Sequence, residues 1–344
     1  MSDRKEDRKE LKEDGDIHGS GLRKAASQGN LADAKALLDN GADPDSQDTK
    51  GLSPLHFAAK NGHWDVARLL LDRHASPSIV DGDNAQPIID AAVKGHLEIV
   101  RLLIECDPTT VNAQDNFWDT PIIIATRRGD INMVRYLLGA NARARHSNRL
   151  RQAPLHLAIS EGSVDMCELL IEHERINRPN LWARMCYDTP VVETKARGED
   201  TPGRPLDIAV SKGHIRIVEL LLRSKMVSPA ALNGNKIPLF HCAVNDRNRE
   251  LARIFLECGV PIDMKGRYKN RALHLAAEKG DVKMVELLLE HGASPKTKNH
   301  VSRTPEDVSM SAEVTMILRN CAGESKKGKR KGDASKFEYY ATPT

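Results

Sequence analysis

The stretch LSPLHFAAKNGHWDVARLLL, Leu52 to Leu71, decides the fold. Ser53 places a hydroxyl where a helix begins, and Pro54 follows at the first helical position. There a proline has no N–H to lose, and the hydroxyl satisfies an orphan N–H. A short apolar run, Leu55 to Ala59, then predicts a helix of about two turns. Gly62 ends it, where a left-handed residue is wanted. A second apolar stripe through Leu69, Leu70 and Leu71 predicts a second helix.

The phrase recurs. DTPIIIATRRGDINMVRYLL starts at Asp119, QAPLHLAISEGSVDMCELLI at Gln152 and RALHLAAEKGDVKMVELLLE at Arg271. The proline position falls at Gly21, Pro54, Pro87, Pro121, Pro154, Pro205, Pro238, Ala272 and Pro305. The steps are 33, 33, 34, 33, 51, 33, 34 and 33. A fixed period near 33 marks stacked units, none of which buries its apolar face alone. Ser53, Thr120 and Thr304 are the expected hydroxyl caps. Gly62, Gly95, Gly129, Gly162, Gly213 and Gly280 are the expected helix stops. Asp246-Arg247 stands where another stop glycine belongs, which predicts a looser turn there. Turn-rich phrases such as NGADPDSQD (Asn40 to Asp48) and HGASPKTKN (His291 to Asn299) predict hairpin fingers between units.

These residues resemble the ankyrin repeat family. SPLHFAA (Ser53 to Ala59), APLHLAI (Ala153 to Ile159) and the Gly-His pairs at Gly62, Gly95 and Gly213 carry the resemblance. It implies an all-α, ankyrin-repeat solenoid of about nine stacked helix–turn–helix units with projecting hairpin loops. It implies a protein partner bound on the concave, fingered face. The reading divides the chain into a charged N-terminal tail (1–15), a repeat domain (16–320) and a basic, disordered C-terminal tail (321–344). The 51-residue step carries 18 surplus residues, placed in the finger near 174–200. Its segment LWARMCY has helix-like apolar spacing, and either a partner or the protein's own stack accounts for it.

Net charge is +3, and the C-terminal tail carries +3 while the first fifteen residues carry −1. The body is therefore close to neutral and is not a general polyanion binder. No apolar leader opens the chain and no run is long enough to span a bilayer, so no membrane insertion is expected. The six scattered cysteines form no CxxC, which fits reduced thiols and a cytoplasmic or nuclear location. His56, His156 and His274 recur in one slot, and His63, His96 and His214 in another. Recurrence makes them structural. No HExxH, GxSxG or phosphate-cradling loop appears, so no catalytic residue, metal or cofactor is expected.

Candidate partner-binding residues come from departures in the third to fifth units. Phe117 and Trp118 put two aromatics on one finger, Trp118 in a turn-glycine position. Arg127 and Arg128 close the helix above. The next finger carries Arg143, Arg145, Arg149 and Arg151 with no acidic residue between them. Trp182, Arg184 and Tyr187 add candidates in the surplus segment. Large rings and guanidinium groups dominate binding energetics, although Trp118 packing between fingers and solvated arginines fit the same sequence. The reading is a non-enzymatic adaptor or scaffold, monomeric by itself, with a protein partner. The alternative is a nuclear transcriptional or chromatin-associated regulator, imported by Lys326, Lys327, Lys329, Arg330 and Lys331 and meeting acidic segments or nucleic acid through the arginine finger. An enzyme is the third and least supported class.

Overall fold

The structure is a computed structural model and describes residues 18–177 and 204–324. Every regular element among the described residues is helical, apart from one isolated bridge between Leu232 and Pro238. Two compact units divide the chain after Val227.

In the first unit, residues 18–28 and Leu31–Asp39 form the first described helix pair. Pairs follow at Pro54–Asn61 with Trp64–Asp72, Pro87–Lys94 with Leu97–Cys106, and Pro121–Arg127 with Ile131–Gly139. Pro154–Glu161 pairs with Val164–Asn177, and Pro205–Ser211 with Ile215–Arg223. From Pro54–Asn61 to Pro154–Glu161 each first helix packs on the first helix of the next pair, and Pro205–Ser211 packs on Pro154–Glu161. The second unit has pairs Leu239–Asn245 with Arg249–Glu257 and Ala272–Lys279 with Val282–Glu290, then Ala312–Glu324.

The local causes are visible in the Leu52 phrase. Ser53 Oγ accepts from the His56 N–H, and His56 Nδ1 accepts from the Ser53 N–H at 3.1 Å. Gly62 ends the helix at φ 82°. Leu55, Ala58, Ala59, Val66, Ala67 and Leu70 are buried. Alanines on the first helix let backbones approach closely, and leucines on the second fill the outer layer.

Both histidine slots are structural. His56 Nε2 bonds the Ala85 carbonyl at 3.0 Å, tying one unit to the next finger, and His274 bonds the Arg303 carbonyl at 3.1 Å. In the other slot, His63, His96 and His214 rest over Gly29, Gly62 and Gly162 of the preceding pairs. Any Cβ on those glycines would lie within 2.5–2.8 Å of an imidazole atom.

Several sequence expectations need correction. Pro238 is the residue before its helix, so Leu239 takes the first helical position and the flanking steps become 34 and 33. That register places His241 in the first histidine slot, where the sequence reading had none. Thr120 makes no capping hydrogen bond. After Thr304-Pro305 the chain makes a turn, not a two-turn helix. At the Asp246-Arg247 turn, Arg247 takes the left-handed backbone that the stop glycines hold elsewhere, φ 56°, and its guanidinium donates to the Lys279 carbonyl at 2.8 Å. The helix expected to stop near His173 continues to Asn177. The surplus segment beyond it, with Trp182, Arg184 and Tyr187, and the tail residues Lys326, Lys327, Lys329, Arg330 and Lys331 lie outside the described residues.

Candidate functional site

The fingers are built on a repeated device. Six residues before the first helical position, an Asp or Asn carboxyl or amide oxygen gathers the loop's own N–H groups. Asp48 accepts from Lys50 and Leu52, Asp81 from Asp83 and Ala85, and Asp115 from Phe117 and Asp119. Such turns fix the tip without a strand ladder. Neighbouring tips are then tied by one backbone bond each. Gly82 N–H donates to the Lys50 carbonyl at 2.7 Å, Asn116 to Asp83 at 2.9 Å and Arg149 to Phe117 at 2.9 Å.

The last of these bonds joins the aromatic finger to the arginine finger. Phe117, Trp118 and Leu150 are 67%, 51% and 60% exposed, unusual for three large apolar side chains on adjoining tips. The Arg149 guanidinium carbon lies 5.7 Å from the centre of the Trp118 ring. A cation over an aromatic face at this range contributes about 0.5–1 kcal/mol at an exposed site.

Trp118 sits at φ 60° and Arg151 at φ 59°, in the slot filled by Gly51 and Asn84 on earlier fingers. A left-handed non-glycine residue costs about 1–2 kcal/mol. Glycine would remove that cost, so the large side chains stand at a strained position.

Beneath the tips runs a polar chain. Arg127 pairs with Asp119 at 2.9 Å, and Asn148 Nδ2 donates to the same carboxylate at 3.0 Å. Asp119 is buried. Burial raises the Asp115 carboxyl above the ordinary range, against the lowering effect of its two backbone donors.

The candidate residues thus separate. Phe117, Trp118 and Arg149 come together, and Arg127 braces them through Asp119. Arg128 does not join them: its guanidinium donates to the Val93 carbonyl at 2.6 Å and covers Gly95, the place that histidines fill elsewhere. Arg145 is held by the buried carboxylate of Glu174 at 2.6 Å. Arg143 is exposed, and its backbone N–H is bonded to Asn112. Leu150 completes the apolar patch and was missed, because a single leucine in a polar turn carries no periodic signal.

The titratable groups elsewhere serve the stack. Burial lowers His56, His156, His274 and, to about 4, His241. Burial raises Asp90 to about 6, with Lys60 and Lys94 pulling it down and Asp81 pushing it up. Among the described residues no group of three or more His, Cys, Asp or Glu is placed to hold a metal. No described helix is long and apolar enough to cross a membrane.

A family profile described as "Ankyrin repeats (3 copies)" matches residues 22–115, 107–180 and 206–299. The mouse B-cell lymphoma 3 protein homolog is 26% identical over 250 residues, covering 65% of this chain and 55% of its own. Human transient receptor potential cation channel subfamily A member 1 is 29% identical over 193 residues, 53% of this chain and 16% of its own. Mouse ankyrin repeat and SOCS box protein 16 is 26% identical over 234 residues, 58% and 51% respectively. The chain therefore spans about half or less of these relatives' lengths. Their names cover unrelated roles, as expected of a fold that hosts many functions. The matched segments, the cap-and-glycine grammar and the tied fingers together make the chain a member of the ankyrin repeat family, whose repeats mediate protein–protein interaction and which is typically non-enzymatic.

Proposed function

We propose that the protein is an adaptor or scaffold that captures a protein partner at the Phe117–Trp118–Arg149–Leu150 fingertips. The observation carrying this reading is the exposed apolar patch with Arg149 over the Trp118 ring, on tips locked by backbone bonds. Docking on such tips is close to rigid-body. A partner covering both rings removes apolar area of roughly 150–250 Å² per ring from water. Arg149 then offers a directional donor to a carboxylate at the rim. Arg151, on the same finger, extends the basic edge.

The surplus segment near 174–200, with Trp182, Arg184 and Tyr187, is proposed as a further contact. The nuclear alternative is less supported. The arginine finger it relies on has Arg145 tied to Glu174.

The test is capture by purified protein from extracts, followed by a direct affinity measurement on the identified partner. Trp118→Ala with Arg149→Ala should weaken that partner by about 30-fold or more, the scale of a binding hot spot of about 2 kcal/mol. Thermal unfolding should be nearly unchanged, because alanine carries the same left-handed backbone cost as tryptophan and truncating an exposed ring leaves no cavity. Undiminished affinity in the double variant would sink this reading.

A further inference from the structure

The fingertips of the 228–324 unit carry a different chemistry. The slot occupied by Phe117 in the first unit is filled here by Tyr268 and Val301, 57% and 53% exposed. The same tip-to-tip bond recurs, with the His300 N–H donating to the Tyr268 carbonyl at 3.0 Å. The Arg267 guanidinium carbon lies 5.1 Å from the Tyr268 ring centre, and the His300 ring centre lies 5.1 Å from it on a tilted plane.

The charge is one-sided. Lys236 stands on one tip, Lys265, Arg267 and Lys269 on the next, and Lys296, Lys298 and Arg303 on the third. Lys236, Lys265, Arg267 and Lys269 make no ion pair among the described residues. Asp263 is the one acidic residue on the middle finger. Its carboxylate accepts the Ser294 N–H at 3.4 Å and its carbonyl accepts from Arg271 at 3.0 Å. Lys236 and Lys269 hold left-handed φ values of 60° and 56° in the turn-glycine slot.

The middle finger also differs in shape. Gly266 takes the position of the loop-gathering Asp or Asn and lies against the His241 ring, where any side chain would collide. Beside it a groove of about 490 Å³ runs between two tips, lined by Asn235, Lys236, Ile237, Lys265, Gly266 and Arg267. Three of its six lining residues are cations and none is an acid.

We propose that this groove and the adjoining Tyr268 tip form a second docking surface, which takes an extended acidic peptide segment carrying an apolar side chain. Unpaired cations whose one neighbouring carboxylate, Asp263, accepts from the Ser294 N–H match an acidic strand. The exposed Tyr268 and Val301 match its apolar residue, and the tips present side chains along a line as an extended segment does. Nucleic acid fits less well. Single strands are held by successive stacking rings, whereas these described tips carry one phenol, Tyr268, and one imidazole, His300, already packed on each other. The proposal stands on residues separate from the Trp118 patch.

Fluorescence anisotropy on the full-length protein tests it. The probe is a labelled peptide of about ten Asp and Glu residues with one central Leu. Wild type should bind it, and added salt should weaken binding because exposed charges are screened. Lys265→Glu with Arg267→Glu should weaken it about tenfold or more, since like charges then face each other. Lys265→Gln with Arg267→Gln should weaken it less, and supplies the comparison if the reversal variant loses helical circular dichroism. Trp118→Ala with Arg149→Ala should bind the probe as wild type does. Absence of wild-type binding, unchanged affinity in both groove variants, or tighter binding of an oligodeoxythymidine of similar length would each overturn the proposal.

Discussion

At the scale of single residues, the buried histidines set the response to acid. His56, His156, His241 and His274 all titrate below the ordinary imidazole value because burial disfavours their charged forms. The unfolded chain therefore binds more protons than the native one between the free value, 6.5, and the folded values, about 4 for His241. Their contribution is complete above 6.5 and is lost as pH falls through that window. Asp90 acts with the opposite sign. Its folded value, about 6 against 3.8, makes its contribution complete below 3.8 and lost as pH rises through 6. Asp115, also raised by burial, acts in the same direction as Asp90. Four histidines oppose these two carboxylates, so the thermal midpoint should fall from pH 7 to pH 5. His241→Gln should flatten that fall and Asp90→Asn should steepen it. A midpoint independent of pH across this range would contradict the account. Glycine provides a second residue-scale contrast. Gly62 at φ 82° and Gly292 at φ 88° both hold left-handed backbone, but only Gly62 has the His96 ring within 3 Å of a new Cβ. Both alanine variants should lose about 1–2 kcal/mol for the backbone. Gly62→Ala should lose measurably more in urea denaturation, because the ring must also move.

At the scale of elements, the finger is where sequence and structure part company. The helix pairs were legible because proline, glycine and the leucine stripe each have a local physical reason to recur. The register at Pro238 was not, because proline is tolerated both at a helix's first residue and just before it. Asn233 settles the matter. Its amide oxygen accepts from Asn235 and Ile237, the same offsets as at Asp48, so the finger and not the proline fixes the register. In the candidate site, Phe117, Trp118 and Arg149 were legible as rare residues on turns. Leu150 was not, because one leucine in a turn carries no periodic signal. Arg127 and Arg128 are adjacent in sequence but part in the structure: Arg127 faces Asp119, while Arg128 donates to the Val93 carbonyl of the preceding unit. The basic tips of the 228–324 unit escaped notice because their cations are spread singly over three fingers and form no run.

At the scale of the whole molecule, stability is set by neighbours within each compact unit. Leu288, on the helix Val282–Glu290 of the second unit, is fully buried. Leu288→Ala should cost about 2–5 kcal/mol. In a repeat stack that loss spreads to adjacent pairs. Hydrogen exchange should therefore accelerate in Leu239–Asn245 and Arg249–Glu257 as well as at the mutated pair. Acceleration confined to Val282–Glu290 would show that the repeats are not coupled in this way.

The tip-to-tip bond has a consequence for how such a protein is reprogrammed. Phe117 and Tyr268 tie into the neighbouring tips through the main chain, their carbonyls accepting from the N–H groups of Arg149 and His300. The side chains of Phe117, Leu150 and Val301 are exposed, and the Tyr268 ring touches only its tip neighbours Arg267 and His300. The architecture thus separates spelling from grammar. Four letters on two pairs of tips can be rewritten, in a combinatorial library or by drift, and the scaffold that displays them will not register the change.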